Sequence, residues 1–380
     1  MRRIVISTIG TSLLTNQINR ANSDEKDWYN LLRDNANLSL ANTPYEVLTI
    51  IETLVERAKQ KLKQSQVKTI RLASAELNGI YGLYQEKLSE GKQDIHWLIA
   101  TDTAQGQKTA EIVRSFLGDN EFNVNIYVPP GLSTASSRAF ADGIDNLITW
   151  MQETIPSFKE NGYQVSFNLV GSFKSLQGYL NTIGMFYADE IIYIFEGQNS
   201  DLITIPRLPI TIDTSTIQPY KLPLALMDAG TEIAVDDEKI LGIPESLVFD
   251  DGQEMTLSTW GKLVWTQSKD ELLSQELLPF PHLEYKDSFY RDYEKTKTNQ
   301  KERVKLQEIL AKVSCLLEKS KGDTSILKGE GGVQYDKYTN KGDMAHFRVT
   351  QGLRISCTSS NGKILLHRYG KEPDVNNNPY

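Results

Sequence analysis

The sequence predicts an α/β fold followed by a smaller α+β region, and three observations carry that expectation. Over the first 210 residues, short β-branched runs alternate with amphipathic helical patterns. Beyond residue 281, a strand-like run leads into a helical stretch and then into short strands separated by turn signals. Between them, residues 211–280 are acidic and weakly periodic, which fits a small helical connecting domain. The expected domains are 1–210, 211–280 and 281–380.

Strands are expected at residues 3–9, 69–73, 95–100, 123–128, 164–170 and 190–195, with a closing strand at 202–209. Helical patterns fill the gaps at 44–64, 76–88, 107–117, 136–158 and 174–188. The first carries Val47, Ile50, Ile51, Leu54, Val55, Ala58 and Leu62 as one apolar stripe. Strand–helix alternation at this spacing argues for a mostly parallel sheet covered on both faces. In the connecting region, Ser258 reads as the N-cap of a helix. From residue 282 a strand (282–286) precedes a helical stretch (287–319), which Gly322 ends. Strands then follow at 333–338, 345–349, 353–358 and 363–369. Asn361-Gly362 joins the last two, a strong hairpin signal.

A chain of 380 residues favours two or three domains. No apolar stretch approaches the ~20 residues a bilayer requires, so no membrane partner is expected. The two cysteines, Cys315 and Cys357, point to a reducing compartment, and the expected location is the cytoplasm. With four histidines and two cysteines there is no zinc-ligand spacing, and no metal site is expected. The net charge of −8 hides an asymmetry. Residues 281–380 hold 18 Lys+Arg against 13 Asp+Glu, whereas residues 1–280 hold 23 against 36. Between residues 337 and 371 stand seven cations (Lys337, Lys341, Arg348, Arg354, Lys363, Arg368 and Lys371) and one acid, Asp343. A basic region on an acidic chain points to a polyanion partner for that region alone.

In open parallel sheets, ligands bind beyond the carboxyl ends of the strands. Three loops there are small and polar: Gly10-Thr11-Ser12, the run Thr101-Asp102-Thr103-Ala104-Gln105, and Gly171-Ser172-Phe173-Lys174. Each supplies hydroxyls or a cation, and two precede helices whose first amides can hold phosphate. Any one of them alone is an ordinary strand-to-helix turn. Three on one sheet edge point to a phosphodiester or nucleotide ligand. Neither G-x-G-x-x-G nor a Walker A sequence is present.

The order and spacing of these three turns resemble the CARF domain, the sensor of CRISPR-associated effectors, across residues 1–210. The resemblance implies a Rossmann-like sheet, a homodimer with one symmetric pocket, and a cyclic oligoadenylate ligand. The expected ring is cyclic tetra-adenylate, acting as an allosteric activator, with no other cofactor. It also implies that Ser12 and Lys174 contact the ring and that such a pocket can cut its own ligand slowly. The ligand-binding candidates are therefore Gly10, Thr11, Ser12, Thr101, Asp102, Thr103, Gln105, Gly171, Ser172 and Lys174.

Relatives of that domain carry different nucleases at the C-terminus. The HEPN class needs Arg four to six residues before His, and none of His96, His282, His346 or His367 has one. A restriction-type metal site needs Asp and then Glu-x-Lys. Glu284-Tyr285-Lys286 fits the second part, but its nearest acid, Asp270, falls in a helical pattern, and an exposed ion pair explains the motif better. The segment from His346 to Ile355, and the final run His367-Arg368-Tyr369-Gly370-Lys371, resemble the RelE/ParE toxins over residues 281–380. That resemblance implies a RelE-like ribonuclease that cleaves mRNA, often on the ribosome.

Metal-free RNA cleavage needs a base for the 2′-hydroxyl, a cation for the phosphoryl oxygens and a proton for the leaving oxygen. Arg354 matches the family's transition-state arginine, and a planar guanidinium suits phosphoryl oxygens. Lys371 is expected to assist as cation or acid, and His367, His346 or Tyr380 as base. Lys337, Arg348, Arg368 and His346 are candidate RNA contacts. Glu372 stands where the family carries a cation, and the family's C-terminal tyrosine has no aligned counterpart. Two other readings remain: a module that binds RNA or ribosome without cutting, and a ring nuclease that degrades the cyclic signal.

Overall fold

Runs of β-branched residues become buried strands in the computed structural model, which describes residues 1–194, 201–329 and 332–380. The chain forms two units, Met1–Ile210 and Thr211–Tyr380. In the first, β1 (Arg3–Thr8), β2 (Ile95–Ile99), β3 (Asn123–Tyr127), β4 (Gln164–Asn168) and β5 (Glu190–Ile194) run parallel. An edge strand, β6 (Leu202–Pro206), pairs antiparallel with β5. The spatial order is β3-β2-β1-β4-β5-β6. Five consecutive residues of β1 are buried, as a strand covered on both faces requires. Phe195, the last residue of the expected strand 190–195, lies outside the described residues.

The covering helices are α1 (Ser12–Thr15), α2 (Trp28–Asp34), α3 (Tyr45–Gln64), α4 (Val67–Ala73), α5 (Ala75–Leu83), α6 (Ala104–Asp119), α7 (Ser137–Glu160) and α8 (Lys174–Tyr187). All seven residues of the stripe on α3 are buried. The expected strand at 69–73 is instead the helix α4. Ile70 and Ala73 are buried while Leu72 is 65% exposed, a spacing of three that suits a helix and not a strand. A short apolar run does not by itself separate the two.

Between β1 and α3 the chain buries Glu25 at 3% exposure, where both of its oxygens accept from Arg57 at 2.7 and 2.8 Å. These hydrogen bonds hold the Glu25 carboxyl at about 2, below its ordinary value of 4.5. A depressed carboxylate contributes stability above its unfolded pKa and loses it on acidification. The melting temperature is therefore expected to fall as pH drops from 4.5 toward 2, and Glu25→Gln is expected to flatten that part of the curve. A variant that loses stability over this window as steeply as the wild type would show that other carboxylates govern it.

The second unit opens with α9 (Lys221–Asp228) and three short strands: β7 (Ile233–Ala234), β8 (Val248–Asp250) and β9 (Glu254–Leu257). They form an antiparallel sheet of order β7-β9-β8, so this region is not purely helical as expected. The strands are two to four residues long, too short to leave a periodic signal. Next comes α10 (Thr259–Leu273), capped as expected by the Ser258 hydroxyl, which accepts from the Gly261 amide at 3.0 Å.

After β10 (Leu283–Tyr285), the expected helical stretch divides into α11 (Asp287–Lys295) and α12 (Gln300–Lys319), with Asn299 capping the second. A short α13 (Ile326–Gly329) precedes β11 (Asp336–Lys337), β12 (Ala345–Arg348), β13 (Leu353–Ser360), β14 (Lys363–Lys371) and α14 (Glu372–Asn377). The expected strand 333–338 shrinks to β11 because Gln334 adopts φ +49°, which breaks the extended run. The sheet order is β10-β14-β13-β12-β11, with β10 parallel to β14 and the other pairs antiparallel. Asn361 and Gly362 both have positive φ (51° and 74°), as a two-residue hairpin turn of the primed kind demands. Residues 211–280 and 281–380, read separately in the sequence, share one core, in which Leu224 and Trp265 cluster with Phe289, Leu306, Phe347 and Ile355. Among the described residues no helix is long and apolar enough to cross a membrane.

Candidate functional sites

In the first unit the strand order reverses between β1 and β4. Chains leaving such neighbours diverge and open a crevice at their carboxyl ends. At its base lies Glu76 of α5, fully buried. Its carboxylate accepts the Gly10 amide at 2.5 Å and the Ser74 hydroxyl at 2.7 Å. A Cβ at Gly171 would lie 2.2 Å from Glu76 Oε1, and one at Gly10 would lie 3.2 Å from the Ser172 amide nitrogen. Only glycine lets the two loops close over that carboxylate. The Thr8 hydroxyl donates to the Gly171 carbonyl, and the Asn168 amide donates to Ser7 Oγ at 3.1 Å and to the Glu76 carbonyl at 3.0 Å. One polar network therefore ties β1, β4 and α5.

Ser172 sits in this network at φ +136°, a conformation L-residues rarely adopt. Its Oγ is buried and has no hydrogen-bond partner among the described residues. Thr11 and Ser12 are half-buried at the start of α1, and Lys174 is exposed as the first residue of α8. The structure thus brings Gly10, Gly171 and Ser172 together and sets the starts of α1 and α8 on the loops that leave β1 and β4.

The middle turn is built differently. Thr101 and Thr103 hydroxyls lie 2.9 Å apart, and Thr103 caps α6 by accepting from the Gly106 amide at 3.1 Å. Asp102 accepts from Gln107 Nε2 and from the Gly131 amide, both at 3.1 Å, and so pins the loop after β2 to the loop after β3. Gln105 is buried and donates to the Leu32 carbonyl at 2.7 Å. These side chains are engaged within the loops after β2 and β3 and with α2 and α6. Glu76, Ser74 and Asn168 were not singled out in the sequence, because a buried carboxylate on an apolar helix carries no motif.

In the second unit the charged cluster centres on Arg354 of β13, 8% exposed. Its Nη2 lies 2.5 Å from Glu372 Oε1. Its Nη1 lies 3.3 Å from His346 Nε2 and donates to Asn376 Oδ1 at 3.4 Å. Asn376 also accepts from the Tyr338 hydroxyl at 2.8 Å, and its carbonyl accepts from Lys341. The Tyr338 and His346 rings meet edge to face with centroids 4.5 Å apart. Burial, and then the Arg354 charge, push the His346 imidazole below its ordinary pKa, so it is neutral near pH 7. Burial pushes the Tyr338 phenol up to about 12.

The other candidates disperse around this cluster. Arg348 stands opposite Arg354 in the β12–β13 register, so the two share a face. Lys371 is exposed at the end of β14, and Lys337 is exposed on β11, 3.9 Å from Asp343. Arg368 is committed to Asp292 on α11, at 2.7 Å. His367 is 4% exposed and pairs with Thr358 Oγ1 at 2.9 Å. Thr358 lies four residues along β13 from Arg354, a separation of roughly 13 Å, so His367 belongs to a different patch. The Tyr380 side chain is 63% exposed and donates to the Lys341 carbonyl at 3.4 Å. Glu284 pairs with Lys363 at 2.8 Å on the edge strand β10, both half or more exposed. Glu372, Asn376, Tyr338 and Lys341 are the members the sequence did not nominate.

A comparison with known families bears on the first unit. Residues 71–208, which hold α5, β2 to β6, Glu76 and the Gly171-Ser172 turn, match the model of a family described as CRISPR-associated protein (Cas_APE2256).

Proposed function

We propose that this chain is a cyclic-oligoadenylate-activated, metal-independent endoribonuclease of CRISPR-associated defence, working as a homodimer. The observation that carries the reading is the Arg354 cluster: a buried guanidinium bracketed by an imidazole and a carboxylate, on the basic sheet of a chain whose first unit matches a CRISPR-associated family. In this reading the crevice between β1 and β4 takes the cyclic oligoadenylate. Gly10 and Gly171 let the loops that line it close over Glu76, Lys174 meets a phosphate, and the unpaired Ser172 hydroxyl gains a partner. RNA lies on the β12–β14 face. Arg354 stabilises charge building on the phosphoryl oxygens, and Arg348, which shares its face, holds a neighbouring phosphate. The substrate class is mRNA, read on or off the ribosome.

The test measures cutting of translated and of free mRNA, with and without cyclic tetra-adenylate, in EDTA. Ligand-dependent cutting that survives EDTA is expected. RNA binding without cutting under every condition would replace the enzyme with a binding module. A second reading, a ring nuclease, is favoured by one observation, the strained and unpartnered Ser172 hydroxyl at the crevice. It predicts that cyclic tetra-adenylate is consumed and that Lys174→Ala stops this.

A further inference from the structure

We infer that Glu372 is the general base of the ribonuclease site, with Arg354 as its partner. This rests on the ribonuclease reading and names the group that takes the proton within it. Two chemical needs follow from metal-free cleavage: something must take the 2′-hydroxyl proton, and something must protonate the leaving oxygen. His367 pairs with Thr358 and Tyr380 with the Lys341 carbonyl, so neither stands at Arg354. Glu372 and His346 do, one on each arm of the guanidinium.

Glu372 is also held in place. Its amide donates to the Gly352 carbonyl at 2.9 Å, fixing it to the turn that starts β13. Val375, buried at 3%, anchors the same short helix, and the Pro379 carbonyl accepts from Ser356 at 2.6 Å beyond it. The side chain is the solvent-facing member of its pair, 34% exposed against 10% for Arg354. A substrate hydroxyl can therefore reach the carboxylate from solvent while the guanidinium stays in the wall. A base beside a phosphate-binding cation must not be repelled by the scissile phosphate, and Arg354 screens the two anions from each other.

The steps balance. The 2′-hydroxyl gives its proton to the Glu372 carboxylate as the 2′-oxygen–phosphorus bond forms. The bond from phosphorus to the 5′-oxygen breaks, and that oxygen takes a proton from solvent water, the hydroxide so formed being neutralised by the proton held on Glu372. The products are a 2′,3′-cyclic phosphate and a 5′-hydroxyl.

The experiment uses the full chain with cyclic tetra-adenylate and an mRNA that the wild type cuts. Glu372→Gln keeps the shape and a hydrogen-bond acceptor for Arg354. It is expected to lower the single-turnover rate by roughly 10²–10⁴-fold, with RNA binding retained. Glu372→Asp, which restores a carboxylate, is expected to recover part of that loss. Glu372→Gln cutting as fast as the wild type, or faster, overturns the assignment and makes Glu372 a plug on Arg354. If instead the wild type cuts nothing, the ribonuclease reading itself fails, which separates the two outcomes.

Discussion

Arg354→Lys abolishes most RNA cutting: the expected loss is about 10²–10³-fold in single-turnover rate, the scale set by removing one preorganised donor from a charge-stabilising site. The physical reason is geometric. Arg354 serves Glu372 with one nitrogen and His346 and Asn376 with the other. A lysine ammonium is a single point and does not span that fork. The charge is kept, so Glu372 stays paired, and the melting temperature is expected to change little. Arg354→Ala should cost more, since it leaves the Glu372 carboxylate without its partner and empties the place of a side chain only 10% exposed. Cleavage rate and thermal melting, measured on both variants, check the prediction. Wild-type cutting by Arg354→Lys would place the chemistry elsewhere.

Gly171→Ala carries the second large effect, and it falls on the crevice. The added methyl would sit 2.2, 2.5 and 2.6 Å from Oε1, Cδ and Cγ of Glu76. That carboxylate has little freedom to swing away, because it holds the Gly10 amide and the Ser74 hydroxyl. Overpacking of this kind costs typically about 1–3 kcal/mol, and here the strain passes straight into the loops after β1 and β4. The expected result is a lower melting temperature and at least about tenfold weaker binding of cyclic tetra-adenylate, which corresponds to about 1.4 kcal/mol. Gly178→Ala is the control. It lies on α8 with nothing within 4 Å of the new methyl, so helix propensity alone should leave stability equal or better. Calorimetric titration of both variants decides it. Unchanged affinity in Gly171→Ala would move the ligand away from these loops.

Long periodic elements were readable in the sequence, and short or compensated ones were not. The stripe on α3 and the β-branched runs of β1, β2 and β4 contain their own burial pattern, so periodicity sufficed. Residues 69–73 misled because five apolar-rich positions satisfy strand and helix alike. The sheet of β7, β8 and β9 went unseen for the same reason of length. Among the site residues, Arg354 and His346 were legible through chemistry and strand position. Glu372 was noticed only as a departure, because its meaning depends on the short α14 folding back over β13. Tyr338 and Asn376 meet through a single 2.8 Å hydrogen bond that nothing in their local sequence announces. In the first unit Gly10 and Gly171 were nominated as ligand-binding positions in two of the three turns. What makes them necessary is the buried Glu76 carboxylate, more than sixty residues from the first glycine and about ninety from the second.

The two sites differ in how their parts are spread along the chain. The crevice draws on residues 7–12, 74–76 and 168–174, which only the finished sheet brings together. The Arg354 cluster is drawn entirely from residues 338–376, closed by two hairpins and one short helix. Its strands belong to the core shared across residues 211–380, so that whole unit can be exchanged as a block by recombination, without disturbing the first unit's sheet. Heritable change should therefore reach the two sites at different rates and by different routes. The second can be gained, lost or replaced in one event, whereas the first can only be adjusted residue by residue within a fold that must already be whole.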